Sequence, residues 1–386
     1  MPPGRVNNMR RRTREPRQAW RQAVESQGMH YHTVDGNPYW DESVHYELTP
    51  GDADAIEAAT YELNRICLET VRHVVEQDRF DEFLIPRDFR PYLRRSWERD
   101  EQTIYGRFDL VYDGSSPPRM LEYNADTPTG LLEAAVIQWF WLQDTFPESS
   151  QFNNIHERLI EAWRSVEWRS PSVLYFTALA GRVEDYMNVN YLRDTAIQAG
   201  LETRFIEVEK IGWHRTRHVF TDTREIEITN CFKLYPWEWM WRDAFGPMVL
   251  RDTVNWLEPP WKAILSNKAI LPVLWELFPD HPNLLRASFD PLPEGNYVQK
   301  PIFSREGANI QVFESGRLRL RTEGPYAGPF IYQELRELPC LAGKYPCVGS
   351  WIVNGWACGV GIREDDCVIT GNLARFVPHV LTSGRD

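Results

Sequence analysis

Two short runs put oxygen ligands where a hard cation could use them. They are Arg107-Phe108-Asp109-Leu110-Val111-Tyr112 and Arg119-Met120-Leu121-Glu122-Tyr123-Asn124, joined by the turn-rich residues 113–118. Side chains alternate between faces along a strand, so Arg107 and Asp109 share one face of the first run, and Glu122 and Asn124 one face of the second. A hairpin pairing Tyr112 with Arg119 sets Asp109 across from Glu122 and Arg107 across from Asn124. Facing carboxylates repel on a bare sheet. They become favourable around magnesium, which takes one or two carboxylates together with substrate phosphates and water. No His or Cys lies among them, which argues against zinc. Arg107 beside such an ion would meet phosphates as a two-pronged donor. The same pattern also fits a solvated polar face over an apolar one.

Phosphate chemistry needs cations, and several stand out. Lys268 heads an apolar run, Asn267-Lys268-Ala269-Ile270-Leu271-Pro272, and Lys300 closes the strand-like Tyr297-Val298-Gln299-Lys300. Soon after comes the polar loop Ser304-Arg305-Glu306-Gly307-Ala308-Asn309-Ile310. Backbone N–H groups of such a loop, Gly307 included, can wrap a phosphate, although the GxxxxGK[ST] pattern is absent. Arg363 follows Gly359-Val360-Gly361-Ile362, so Gly359, Gly361 and Arg363 share a strand face. Small residues beside an arginine are expected to leave room for a ligand.

These groups must be held by a chain of 386 residues, 42% hydrophobic and 25% charged, enough for one large core or two smaller ones. The net charge is −12, and residues 1–22 hold seven arginines against one glutamate, so the remaining body is more acidic still. Such a body repels phosphate backbones and argues against a nucleic-acid partner. It suits a cationic ligand, or one that arrives with metal ions. Residues 1–22 are expected to be a flexible basic tail. They lack the apolar stretch of a secretory signal, and no run of about 18 apolar residues suggests a membrane span, so the expected compartment is the cytoplasm. Six cysteines form no CxxC pair and read as reduced thiols.

Residues 50–79 carry apolar groups at three- and four-residue steps (Ile56, Ala59, Leu63, Ile66, Thr70, Val74), predicting an amphipathic helix capped by Asp52 or Asp54. Residues 130–146 read as a buried helix. Strand 172–176, a helix around 191–199 closed by Gly200, and strand 203–208 make a βαβ unit within a small α/β subdomain, 170–235. No GxGxxG turn accompanies it, so a dinucleotide is not supported. Trp237, Trp239, Trp241, Trp256, Trp261 and Trp275 crowd the middle, as core filler or as a sugar or peptide platform. Residues 295–376 are strand-dominated.

Several motifs in order resemble the glutathionylspermidine synthetase family. They are Leu121-Glu122-Tyr123-Asn124-Ala125-Asp126-Thr127-Pro128-Thr129, the Asn267–Pro272 run, Lys300-Pro301 with the 304–310 loop, Gly349-Ser350-Trp351-Ile352, Gly361-Ile362-Arg363-Glu364 and Phe376-Val377-Pro378-His379. The resemblance covers about residues 20–380 and is closer to the stand-alone acid–amine ligase branch, which lacks an amidase half, so product hydrolysis is not expected. It implies an α+β, ATP-grasp fold with an inserted pre-ATP-grasp-like α/β subdomain. Residues 23–169 would hold the helical region and metal hairpin, 170–235 the insert, 236–380 the lysine and arginine strands, and 381–386 a second tail.

The resemblance also implies roles. Asp109, Glu122 and Asn124 would hold Mg2+. Arg107 and Arg363 would stabilise the transferring phosphoryl group, and Lys268 and Lys300 would contact ATP. Thr127 and Thr129 stand where the family contacts its acid substrate, with Gly130 departing from the small polar residue expected next. The implied activity is ATP-dependent joining of a carboxylate, a peptide or glutathione-like acid, to an amine through an acyl phosphate. An acidic body would draw in a polyamine. The rival readings are a glutathionylspermidine synthetase proper and, from another class, a non-catalytic Trp-rich peptide or sugar binder.

Overall fold

The computed structural model describes residues 9–34, 36–170 and 173–382. It is a mixed α/β molecule organised around two antiparallel five-stranded sheets and one parallel sheet. The central sheet runs, edge to edge, Arg375–Val377, Trp356–Asp365, Tyr345–Val353, Tyr105–Val111 and Arg119–Asn124. The second runs Ala287–Ser288, Phe330–Glu334, Tyr297–Pro301, Gln311–Glu314 and Arg317–Arg321. Among the described residues no helix is long and apolar enough to cross a membrane.

The acidic hairpin forms, with Arg107 opposite Asn124 and Asp109 opposite Glu122. Beyond that point the expected register breaks: Arg119 pairs with Val111, not Tyr112, and a bulge leaves Leu121 without an opposite residue. A bulge turns one extra residue out of the ladder. Here it frees the Leu121 carbonyl, which accepts from Lys300 Nζ at 3.1 Å and so reaches across to the second sheet.

The long helix is Pro50–Glu76, and its expected apolar stripe is buried. Its cap is Thr49 rather than Asp52 or Asp54. Thr49 accepts from the Asp52 amide, and the Asp52 carboxylate accepts from the Thr49 amide at 2.7 Å, a reciprocal capping box. Asp52 also accepts from Tyr112 Oη at 2.6 Å, which fixes the helix start to the hairpin.

Strands Leu174–Ala178 and Thr203–Glu207 and helix Val183–Gln198 make the βαβ unit. Ser172, where the first strand was expected to begin, lies outside the described residues. The helix starts earlier than its apolar pattern suggested because Gly181, at φ 75°, turns the chain and Glu184 and Asp185 favour the helix N-terminus. The parallel sheet then continues past residue 235, through Asn230–Leu234 to Asn255–Leu257.

Residues 130–146 are not one uniform helix. Glu133–Ile137 is a π-helical turn leading into Gln138–Thr145, and Trp139 and Phe140 are exposed although the segment was expected to be buried. Trp237, Trp241, Trp256 and Trp261 are buried, which makes them core filler rather than a platform. The expected basic tail is not loose over its described part. Arg10–Thr13 is an edge strand paired with Val44–Leu48, and Trp20–Ser26 is a helix. The strand is held because Arg11 has a buried carboxylate to meet, Glu364. At the other end His379–Leu381 pairs with Val44–Leu48, and residues 383–386, the rest of the second tail, lie outside the described residues.

Candidate active site

The hairpin, the 304–310 loop, the second sheet and the Trp356–Asp365 strand meet around a cavity of about 230 Å³. Arg107, Asp109, Glu122, Asn124, Thr127, Thr129, Lys300, Gly307 and Arg363 all line it. Lys268 stands just behind, 2.9 Å from Glu122 Oε2 and donating to the Ser304 carbonyl at 2.6 Å. Every candidate residue read from the sequence therefore falls at one place.

Charge decides the state of the Glu122 carboxylate. Burial pushes the Glu122 carboxyl up, but Lys268 and Lys300 together hold it well below the usual carboxylate range, so it is ionised. Burial pushes the Lys300 ammonium down to about 8, against the pull of Glu122. Arg107 grips Asp109 with two bonds, Nε to Oδ1 at 2.6 Å and Nη2 to Oδ2 at 3.0 Å, and also donates to the Thr129 carbonyl. Burial acts to lower the Arg107 pKa, and Asp109 more than offsets it.

Asn124 Nδ2 donates to Asp109 Oδ2 at 3.1 Å and to Glu122 Oε1 at 3.3 Å. The two carboxylates and the amide thus point at one another, the arrangement a hard cation uses. As an oxygen ligand Asn124 would present its other amide atom, a half-turn about its terminal torsion. Among the described residues no three His, Cys, Asp or Glu side chains converge on a common point. Two carboxylates and an amide match magnesium, which binds few protein carboxylates.

The glycines do work that the sequence reading misjudged. The space beside Gly361 and Gly359 is taken by protein and not left for a ligand. An added Cβ would meet Phe376 Cζ at 2.5 Å and Ile155 Cγ1 at 2.9 Å respectively. Gly349, opposite Gly361, is the one that serves the site, because a Cβ there would strike Arg107 Cδ at 2.8 Å. Gly307 sits at φ 67° with Thr370 O only 2.6 Å from where a Cβ would be, so the phosphate-loop candidate packs against residues 368–370. Arg363 Nη2 donates to Gly371 O at 2.8 Å, while its Nε is buried without a partner.

Several lining residues escaped the sequence reading. Arg305 donates to Thr127 Oγ1 at 3.0 Å and pairs with Glu238. It lies inside the quoted 304–310 loop and could have been found there. Gln333 accepts from Lys300 Nζ at 2.7 Å and donates to Met120 O at 3.1 Å, a long-range bridge with no local signal. Asp185 lines the cavity with Arg182, and the carboxyl of neighbouring Glu184 is pushed up to about 7 by burial, with Glu133 and Asp185 adding to it. The first turn of that helix is acidic in the sequence, but nothing local says that it faces the hairpin.

The profile of the glutathionylspermidine synthase preATP-grasp family matches residues 11–382. A Haemophilus influenzae protein named "Putative acid--amine ligase" is 39% identical over 361 residues, covering 89% of this chain and 91% of that protein. The bifunctional glutathionylspermidine synthetase/amidase of Escherichia coli is 30% identical over 376 residues, 87% of this chain and 59% of its own length. Trypanothione synthetase of Crithidia fasciculata is 28% identical over 344 residues, 80% of this chain and 52% of its own. With its hairpin, lysines and arginines meeting at one cavity, and with nearly its whole length matched, the chain belongs to the glutathionylspermidine synthase preATP-grasp family.

Proposed function

We propose that this chain is an ATP-dependent carbon–nitrogen ligase that joins a carboxylic acid to an amine through an acyl phosphate. The observation that carries the reading is the facing pair Asp109 and Glu122, ringed by Arg107, Lys268, Lys300 and Arg363 at a single cavity. On this reading the fold is an ATP-grasp. Residues 23–169 carry the hairpin, the α/β insert runs from 170 through the parallel strand Asn255–Leu257, and the chain beyond it to 380 carries the lysine and arginine strands.

A carboxylate does not acylate an amine in water without activation. Its oxygen attacks the γ-phosphorus of ATP, the bond to the ADP oxygen breaks, and an acyl phosphate forms. The amine then attacks the acyl carbon and phosphate leaves. Lys268 and Lys300 hold the nucleotide phosphates, and Gly307 lets the 304–310 backbone approach them. Arg107 and Arg363 face the charge that develops on the transferring group. Thr127 and Thr129 contact the acid. The attacking amine must shed a proton, and Asp185 or Glu184, with carboxyls raised by burial, suits both a cationic amine and that proton. Asp109, Glu122 and Asn124 would hold Mg2+, which supplies charge neutralisation to the β- and γ-phosphates when bound.

The test is ADP release with Mg-ATP across a panel of acids and amines, followed by the product's mass. A condensation product one water lighter than the summed substrates is expected. No stimulated ADP release by any pair would overturn the reading. A glutathionylspermidine synthetase proper is the narrower version, favoured by the Escherichia coli relative. Glutathione with spermidine active and other pairs silent selects it.

A further inference from the structure

We propose that the N-terminal strand Arg10–Thr13 is a strap for the reaction centre. Arg11, acting through Glu364, is a positioning residue for Arg363. This rests on the ligase reading given above.

Arg363 and Glu364 are consecutive on the strand Trp356–Asp365, so their side chains leave opposite faces. Arg363 faces the cavity. Glu364 faces away and is wholly buried. There Arg11 clamps it with two bonds, Nε to Oε2 and Nη2 to Oε1, both 2.8 Å, and Tyr46 Oη donates to Oε2 at 2.7 Å. Arg375 Nη2 stands farther off, 3.9 Å from Oε1.

The front of the strand is held less firmly than the back. The guanidinium of Arg363 donates to one carbonyl, Gly371 O, and its Nε has no partner. Arg107 contrasts with it, fixed by both Asp109 oxygens and by Thr129. The position of Arg363 therefore depends on the backbone beneath it, which the Glu364 anchor fixes together with the ladders to Tyr345–Val353 and Arg375–Val377. A two-pronged arginine–carboxylate pair fixes orientation as well as distance. Without Arg11 the buried carboxylate keeps only Tyr46 and a distant arginine, and the Arg363–Glu364 segment is held by its two ladders alone.

The experiment compares Arg11→Ala and Arg11→Lys with the unaltered full chain, using Mg-ATP, a productive acid–amine pair and direct nucleotide titration. Arg11→Ala is expected to lower kcat by about tenfold or more while ATP affinity stays within about twofold, since small misplacement of a reacting group costs rate before binding. Arg11→Lys, with one prong, should fall between. Deuterium exchange at amides 361–365 should quicken in Arg11→Ala and stay unchanged in the parallel sheet. Unchanged kcat overturns the proposal. So does a joint fall of kcat, affinity and Tm with exchange quickened throughout, which marks a role in stability alone. If the unaltered chain releases no ADP with any pair, the ligase reading fails and the exchange decides by itself. Quickening confined to 361–365 upholds the strap, and unchanged exchange removes it.

Discussion

Lys268 Nζ lies 2.9 Å from Glu122 Oε2, joining the loop before an apolar helix to the edge strand of the acidic hairpin. With Lys300 it holds the Glu122 carboxyl well below the usual carboxylate range, against the burial that acts to raise it. On the proposed reading the same contact keeps a metal ligand charged and sets a cation beside the phosphates that ligand would help to hold.

Replacing either hairpin carboxylate should therefore remove Mg-dependent chemistry. Asp109→Ala and Glu122→Ala are each expected to lower ADP release by at least about 100-fold, the scale of losing an electrostatic stabiliser. Far-UV circular dichroism should stay unchanged. Undiminished turnover in both variants would sink the metal assignment.

Lys300 gives a pH dependence whose sign is fixed. Its ammonium is pushed down to about 8, so it is charged below that pH and neutral above it. A charged lysine attracts phosphate, so the nucleotide Kd should rise as pH climbs through about 8. Lys300→Arg, which stays charged, should flatten that rise. Titration calorimetry between pH 7 and 9.5 reads it, and an equal rise in both proteins would assign the effect elsewhere.

Arg363→Ala should lower kcat far more than it weakens ATP binding, because on the proposed reading the residue faces charge that develops during transfer. Matched losses in kcat and in nucleotide affinity would instead mark plain ground-state binding.

Gly307→Ala combines a left-handed backbone with a Cβ placed 2.6 Å from Thr370 O. The 304–310 loop must shift, at a cost of about 1 kcal/mol or more in backbone strain alone. Nucleotide affinity should fall severalfold with little change in Tm, since the loop lies outside the cores. Unchanged affinity would separate this loop from the phosphates.

Asp126 and Lys233 form a buried pair at 2.6 Å, with the Trp237 amide donating to the second Asp126 oxygen at 2.9 Å. Lys233→Met leaves Asp126 buried without its cation and should cost about 3–5 kcal/mol. The double variant Asp126→Asn with Lys233→Met should recover part of that loss. Urea denaturation of the three proteins checks it.

The residue types around the site were readable because facing carboxylates on adjacent strands make little sense without a cation, and that is a local statement. The pairing of Asp109 with Glu122 followed from alternation and held. The bulge at Leu121 did not follow, since it answers to Lys300 nearly two hundred residues away. Thr49 was missed as a cap because Asp52 fits the same preference, and only the helix start distinguishes them. The N-terminal arginines looked like a loose tail because the buried partner of Arg11 lies at the other end of the chain. Gly361 looked like vacant space because the sequence does not disclose that Phe376 fills it.

The strand Arg119–Asn124 ends the central sheet, yet its outer edge is not bare. Met120 O accepts from Gln333, Leu121 O from Lys300, and the Met120 amide donates to Asn283 O at 2.9 Å. Pulling the two sheets apart along this line would strip donors from buried carbonyls, at about 1 kcal/mol or more apiece. The seam thus ties Lys300 to both sheets at once, to the hairpin through Leu121 O and to its own sheet through Gln333 Oε1, so the cation at the cavity floor is set by the join itself.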